Sequence, residues 1–91
     1  MTPEKFRNNE LGYREWCENH PAGYVLNTYH DEIDAAYVVL HRAKCPTIDP
    51  TGDPEPRGFT GPLYSKLCAD SIEELLSEIG REPWRCRKCN P

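Results

Sequence analysis

Two pairs of residues in this chain have the types and spacing of metal ligands. The first is a His-x3-Cys pair, His41 and Cys45, and the second is a Cys-x2-Cys pair, Cys86 and Cys89. Together they offer one imidazole and three thiolates, a ligand set that structural zinc favours. We therefore predict that these four residues bind a single zinc ion.

The spacing within each pair indicates how the backbone must run. Two thiolates three positions apart bind one ion when the chain between them turns tightly, and Asn90 follows where such turns use a left-handed residue. His41 and Cys45 are four positions apart, so an extended strand would place both side chains on one face. We predict this extended arrangement, with Pro46 ending the strand just beyond the ligand.

The fourth ligand has an alternative, because Cys68 in place of His41 would give a four-cysteine site. We favour His41, since Cys68 stands between a predicted strand and a helix cap, where a small buried residue is expected. Cys17 is predicted to lie in the core. A site closed by four protein ligands leaves no position for water or substrate, which predicts a structural zinc and a protein that is not an enzyme.

A cysteine nucleophile activated by a histidine base is the enzymatic alternative. Its nucleophile would be Cys45 or Cys68, and its base would be His20, His30 or His41. This alternative requires a free thiol of low pKa, which a thiolate bound to zinc does not provide.

Basic residues concentrate near the predicted zinc site. The net charge of the chain is −4, but residues 1–80 carry −7 and residues 81–91 carry +3. The body of the protein would repel a polyanion and the zinc end would tolerate one, although cations there also offset thiolate charge. We predict a binding module whose partner is unknown, a protein or a nucleic acid, and nucleic-acid binding is the specific alternative. Its candidate residues are Arg42, Lys44, Arg81, Trp84, Arg85, Arg87 and Lys88, with Trp84 able to stack on a base.

The elements that must position these residues follow from the apolar pattern. Residues 1–20 predict an N-terminal helix, capped by Thr2 with Pro3 in its first turn, and Asn9 and Glu10 offer a second start within it. β-branched and aromatic residues predict strands at 23–29, 36–41 and 63–69, of which the first two form an antiparallel hairpin. The apolar side of the N-terminal helix is predicted to contain Leu11, Tyr13, Trp16 and Cys17.

A second, amphipathic helix is predicted near the C-terminal end of the sequence. Asp70 and Glu73 have the spacing of a capping box, and Gly80 supplies a stop. The predicted fold class is therefore α+β: an antiparallel sheet of about three strands with an N-terminal and a C-terminal helix, closed by zinc. Helical spacing of i, i+3, i+4 and i+7 relates Ile72, Leu75, Leu76 and Ile79.

The length and composition predict one small domain spanning residues 1–91. Only 37% of the residues are apolar, so the core is expected to be marginal without a metal. Residues 46–63 contain five prolines and three glycines without periodicity, which predicts a long mobile loop. An odd count of five cysteines, a polar opening segment and the lack of a long apolar run predict a cytoplasmic protein without a membrane partner.

The order of these features resembles the small Ada-type zinc-binding modules. In that family a strand ends in a ligand, a cysteine follows after three residues, and a strand, a short helix and a terminal Cys-x2-Cys complete the unit. The likeness covers about residues 36–91. The resemblance implies the zinc site and DNA binding; in the repair proteins a zinc-bound cysteine also accepts a methyl group from a phosphotriester. His41 stands where the repair module has cysteine, and histidine lowers the anionic charge that drives that transfer, so we take the zinc site and not the repair chemistry from the resemblance.

The whole chain is also similar to an uncharacterised bacterial group. That group has a Gly-Tyr-Val-Leu-Asn strand before a Leu-His-Arg-Ala-x-Cys segment, as this chain has at residues 23–27 and 40–45. We attach no activity to this second resemblance.

Overall fold

A computed structural model describes residues 3–29, 38–49, 60 and 64–91. In these residues the chain forms an α+β fold, as predicted, with two helices and five strands. No helix in the described part of the chain is long and apolar enough to cross a membrane. In chain order the elements are β1 (Glu4–Phe6), α1 (Glu10–Asn19), β2 (Tyr24–Tyr29), β3 (Val38–Arg42), β4 (Tyr64–Ala69), α2 (Ile72–Ile79) and β5 (Trp84–Arg85).

The strands form one mixed sheet in the order β1-β4-β2-β3-β5. The predicted antiparallel hairpin is confirmed, because β2 pairs antiparallel with β3, and β4 pairs antiparallel with both β2 and β1. β5 pairs in parallel with β3, so the prediction of a purely antiparallel sheet of about three strands is wrong. The two additional strands are only three and two residues long, too short to show a period-two pattern in the sequence.

The register of the sheet separates its two faces. In one row across the sheet, Val25 lies opposite His41 on β3 and Cys68 on β4. Successive side chains of a strand point to opposite faces of the sheet. The side chains of this row therefore lie on one face, and those of the next row lie on the other. On the three central strands the next row consists of leucines: Leu26, Leu40 and Leu67.

Helix α2 covers the leucine row and closes an aliphatic core. Leu75 and Ile79 of α2 are buried in one cluster with the three leucines. Burial of a leucine or isoleucine side chain contributes about 1.5–3 kcal/mol, so this cluster is a substantial hydrophobic stabilisation of the fold.

The start of α2 differs from the prediction by one residue. The hydroxyl of Ser71 accepts a hydrogen bond from the Glu74 N–H at 3.2 Å and caps the helix. Asp70, the predicted cap, instead bonds the Nδ1 atom of His20 at 2.7 Å, so the capping box of Asp70 and Glu73 is wrong. The predicted stop is confirmed, because Gly80 is left-handed with φ of 68°.

Helix α1 covers the opposite face of the sheet. Tyr13, Trp16 and Cys17 are buried there, as predicted, and pack in one cluster with Val25 and Cys68. This face therefore combines aromatic rings with thiols and polar groups.

One residue predicted for the buried side of α1 lies elsewhere. Leu11 is 82% exposed, because two residues along a helix correspond to a rotation of about 200°, which places Leu11 on the side of α1 opposite the buried Tyr13.

The N-terminal boundary of α1 was also predicted wrongly. Glu4–Phe6 is a strand that pairs with β4, so the predicted helix start at Thr2 and Pro3 is wrong. The true cap is Asn9, whose side chain accepts a hydrogen bond from the Gly12 N–H at 2.9 Å. A Cβ atom at position 12 would collide with the Asn9 side chain, which explains a glycine in the first turn.

The predicted loop at 46–63 lies mostly outside the described residues. Its described parts are residues 46–49, which follow Cys45 in a turn, and Thr60. Thr60 donates hydrogen bonds from its main-chain N–H and its hydroxyl to the Glu10 carboxylate, both at 2.8 Å. Its hydroxyl also accepts the Asn9 N–H at 2.9 Å, so this residue fixes the start of α1.

Candidate metal centre

Strand β3 and the turn after it supply the first pair of candidate ligands. His41 lies on β3, which ends at Arg42, and the Cys45 N–H donates to the Arg42 carbonyl at 3.0 Å. The predicted extended run from His41 to Cys45 is therefore wrong. A tight turn instead brings Cys45 back beside His41. The two side chains are therefore close together, as predicted, but through a different path of the backbone.

The second pair lies in a turn directly after β5. The Asn90 N–H donates to the Cys86 carbonyl at 3.1 Å, and Asn90 has a left-handed φ of 46°, as the sequence predicted. The Cys86 N–H donates to the Leu40 carbonyl at 2.9 Å. Because Leu40 precedes His41, this bond places the turn beside the first pair.

The four side chains converge on one point. The ligand atoms of His41, Cys45, Cys86 and Cys89 all lie within 4.8 Å of one another. The Sγ atoms of Cys45 and Cys86 are 3.7 Å apart. Two thiolates on a tetrahedral zinc ion with Zn–S bonds of about 2.3 Å are about 3.8 Å apart. The four residues are thus positioned to bind a metal ion.

The environment of His41 fits a ligand role. Its side chain is buried, and neither ring nitrogen has a hydrogen-bond partner in the described part of the chain. A buried polar atom without a partner is costly, and coordination of a metal would satisfy one of the two nitrogens. Burial, with the nearby Lys66 charge, lowers the pKa of His41 to about 4, so the ring is neutral at pH 7 as a metal ligand must be.

The thiols of the second pair differ in acidity. Burial acts to raise the pKa of Cys86, but hydrogen bonds with the main-chain N–H groups of Cys89 and Lys88 and with the thiols of Cys45 and Cys89 together hold that pKa below its ordinary value. Burial and the neighbouring thiol of Cys45 raise the pKa of Cys89 to about 11, although the Arg42 N–H opposes the shift. Neighbouring thiols cannot all ionise unless a cation compensates their charge, which is what a bound metal provides.

Arg42 links the two halves of the site. Its main-chain N–H donates to the Cys89 Sγ atom at 3.2 Å, and its guanidinium donates to the carbonyls of Cys89 and Asn90, both at 2.8 Å. Hydrogen bonds to ligand sulfurs and their backbone orient ligands and tune a metal site. The sequence indicated Arg42 only as a contact for nucleic acid. The sequence signal for this second role was the position of Arg42 directly after the predicted ligand His41.

The two remaining cysteines lie away from the cluster. Cys68 is 1% exposed, and β2 separates it from β3, so two strand spacings, about 10 Å, lie between Cys68 and His41. Burial and the nearby Cys17 raise the pKa of Cys68 well above its ordinary value, which makes it a poor nucleophile. Cys17 lies in the core of the α1 face, as predicted.

Of the histidines in the enzymatic alternative, His41 lies beside Cys45 in the metal cluster. His20 stacks on Trp16 with ring centroids 4.4 Å apart, bonds Asp70 and lines a cavity together with Cys68. His30 lies outside the described residues.

Two of the seven residues predicted to contact nucleic acid donate hydrogen bonds to the C-terminal residues 89–91. Arg42 holds the tail as described, and Arg85 donates to the Pro91 main-chain oxygen and the Glu82 carboxylate, both at 2.9 Å. Trp84 is 73% exposed on β5. Lys44, Arg81, Arg87 and Lys88 are exposed.

Comparisons with protein-family models, with curated proteins and with solved structures find no match to this chain. The resemblance to Ada-type modules therefore rests on the ligand spacing and element order alone.

Proposed function

We propose that this protein is a zinc-stabilised binding module without catalytic activity, and that His41, Cys45, Cys86 and Cys89 hold the ion. The convergence of four soft and borderline ligand atoms within 4.8 Å, from segments more than forty residues apart in sequence, supports the proposal. Three thiolates and one imidazole favour zinc over the hard cations magnesium and calcium, which prefer oxygen ligands.

A structural role follows from the number of ligands. Four protein ligands complete a tetrahedral zinc site and leave no position for a water nucleophile or a substrate. The ion would instead connect β3 to the turn after β5, so that metal binding contributes directly to folding. The partner of the module is unknown, and a protein or a nucleic acid would each be consistent with an exposed zinc end.

Mass spectrometry of the full chain tests the zinc assignment. Under native conditions we expect one zinc ion per chain, and under denaturing conditions we expect none. Cys89→Ser should lose the ion, whereas Cys68→Ala should retain it, because Cys68 is equally a cysteine but lies outside the cluster. Retention of stoichiometric zinc by Cys89→Ser, or no zinc in the unaltered protein, would refute this ligand set.

Nucleic-acid binding is a second candidate, favoured by the exposure of Trp84. Its indole is 73% exposed on the same short segment as the exposed cations Arg87 and Lys88. An aromatic ring beside cations is a platform on which single-stranded bases stack. Fluorescence anisotropy with a labelled single-stranded oligonucleotide should show binding that weakens steeply with salt and is lost in Trp84→Ala. The matched control is Arg14→Glu on α1, and an equal loss in that variant would indicate nonspecific attraction.

A further inference from the structure

A cavity of about 250 Å³ opens beside the candidate metal centre, and the candidate metal site does not use it. It lies between the turn that leads into β2 and the end of β3. Two of its lining side chains are cationic and none is acidic, although the chain as a whole carries a net charge of −4. The lining residues are Pro21, Ala22, Gly23, Tyr24, Arg42 and Lys44.

Arg42 presents a fixed positive charge to this cavity. Of its five N–H groups, Nε donates to the Cys89 carbonyl and one on Nη2 donates to the Asn90 carbonyl, both at 2.8 Å. Both acceptors are uncharged, so these two bonds leave the guanidinium its full charge, and its three other N–H groups have no acceptor among the described residues. Its Cζ atom lies 5.9 Å from the centre of the Tyr24 ring, which supports it from a second side. These contacts hold the planar, fork-shaped guanidinium group of Arg42 in place before any ligand binds.

Lys44 supplies a second cation on the rim of the same cavity. It follows Arg42 by two residues in the exposed turn after β3. In the described residues, neither Arg42 nor Lys44 forms an ion pair with a carboxylate. The walls beside them, Pro21 and the ring of Tyr24, are largely apolar. The cavity thus combines a rigid fork, a flexible cation and an apolar wall.

We propose that this cavity binds a phosphate monoester carried on an apolar or aromatic group. The ester is close to a dianion at pH 7, which matches two cations, and its oxygens fit the planar Arg42 fork. Lys44 contacts it as a mobile point charge, and the carrier lies against Pro21 and Tyr24. A cavity of about 250 Å³ accommodates a ligand of the size of a phosphorylated ring.

The proposal rests on the proposed metal site in one respect. The carbonyls that hold Arg42 belong to Cys89 and Asn90, which a bound zinc would fix against β3. Metal binding should therefore pre-organise the fork, and zinc should strengthen phosphate binding. By thermodynamic linkage the phosphate monoester should strengthen zinc binding by the same factor.

The test is a titration of the zinc-loaded full chain with phenyl phosphate, followed by amide NMR. We expect saturable shifts at Gly23, Tyr24, Arg42 and Lys44. Lys44→Gln should weaken binding about tenfold, the effect of losing one charge-assisted hydrogen bond. Arg42→Met should weaken phosphate binding at least as much. If Arg42→Met fails to fold, Lys44→Gln still tests the proposal. Lys88→Gln is the matched control, an exposed cation that does not line the cavity, and it should change the affinity less than twofold.

Comparison ligands separate the chemical classes. Benzoate, a monoanion on the same ring, should bind more weakly than phenyl phosphate, and a short oligothymidylate should not bind more tightly. The assignment would be overturned if benzoate bound as tightly as phenyl phosphate, or if the oligonucleotide bound more tightly at these amides. It would also be overturned if the shifts did not saturate, or if Lys88→Gln lost as much affinity as Lys44→Gln.

Removal of the metal distinguishes this inference from the zinc proposal. Zinc content is measured independently by mass spectrometry. Stoichiometric zinc without phosphate binding overturns the cavity assignment and leaves the zinc proposal standing. Phosphate binding to a chain that never holds zinc supports the cavity assignment and refutes the zinc proposal together with the coupling between the two sites.

Discussion

The two faces of the sheet are stabilised by different chemistry. The α2 face is aliphatic: leucines from three strands pack against Leu75 and Ile79. The α1 face buries Tyr13 and Trp16 but also Lys66 and His41, and the metal cluster lies at its margin. A chain with few aliphatic residues concentrates them on one side, so the other side depends on polar partners and, in our proposal, on an ion. Variants on the two faces should therefore respond differently to metal and to pH.

The largest expected effect is loss of a metal ligand from the α1 side. A structural zinc ion contributes on the order of 10 kcal/mol, comparable to the whole stability of a small domain. Cys89 is only half-buried, so Cys89→Ser removes a ligand with little disturbance of packing. We expect this variant to be unfolded at 25 °C in excess zinc by circular dichroism. Cys68→Ala should stay folded, and equal stability of the two variants would contradict the contribution of the metal.

The next effect tests the aliphatic face. Leu75 is fully buried, and Leu75→Ala should lower the free energy of unfolding by about 3 kcal/mol because it leaves a cavity. Zinc stoichiometry should remain one per chain, since the cluster lies on the other face. Leu76→Ala, at a half-buried position of the same helix, is the matched control and should cost about 1 kcal/mol. Urea denaturation of the metal-loaded protein measures both values, and loss of zinc from folded Leu75→Ala would show that the faces are coupled.

A third test uses the pH dependence of the α1 face. Lys66 is buried beside the Tyr13 ring and donates to the Asn27 side-chain oxygen at 2.8 Å. Burial lowers its pKa from 10.5 to about 8. Between these two values the unfolded chain keeps a proton that the folded chain has released, so the Lys66 contribution makes the folded state more stable as pH rises.

The matched comparison is Lys66→Met, which keeps the length of the side chain without its charge. Relative to this variant, the unaltered protein should gain at most about 3 kcal/mol of stability between pH 8 and pH 10.5. Thiols and tyrosines away from Lys66 titrate equally in both proteins and cancel in the difference. Cys17 and Cys68 also contribute to it, because burial raises their pKa and the Lys66 charge opposes that rise. Urea denaturation across this range measures it, and parallel curves for the two proteins would show that Lys66 does not carry the predicted shift.

The smallest effect concerns the cap of α2. Ser71→Ala should destabilise the protein by about 1 kcal/mol, because the Glu74 N–H loses its acceptor. Asp70→Ala removes only a partly exposed contact with His20 and should cost less than about 0.5 kcal/mol. Thermal unfolding of the two variants decides between the caps. A larger loss of stability in Asp70→Ala than in Ser71→Ala would support the capping box predicted from the sequence.

The sequence predicted the parts of the fold that carry a repeated local signal. The α2 pattern and Gly80 define one helix, and the apolar runs define β2, β3 and β4. β1 and β5 escaped prediction because each is set by its pairing partner and is too short for a pattern of its own. Asp70 and Ser71 are both good caps, and only the tertiary contact with His20 distinguishes them.

The candidate ligands were predictable because the spacing of cysteine and histidine is a local feature. The path of the chain between them was not. A four-residue spacing is satisfied by a strand or by a tight turn, and the Cys45–Arg42 hydrogen bond selects the turn. The bonds from Arg42 to Cys89 and Asn90 join residues 47 and 48 positions apart. No local pattern could indicate them.

The pairing of β5 with β3 has a consequence for solubility. β5 covers one edge of the sheet through only two paired positions, opposite Val39 and Leu40. If chelation releases the zinc-binding turn, this short strand should detach and leave the N–H and carbonyl groups of β3 open. An open edge strand is a template for pairing with another chain. The metal would then protect the protein against self-association, and chelated samples should scatter light at concentrations where zinc-loaded samples remain clear.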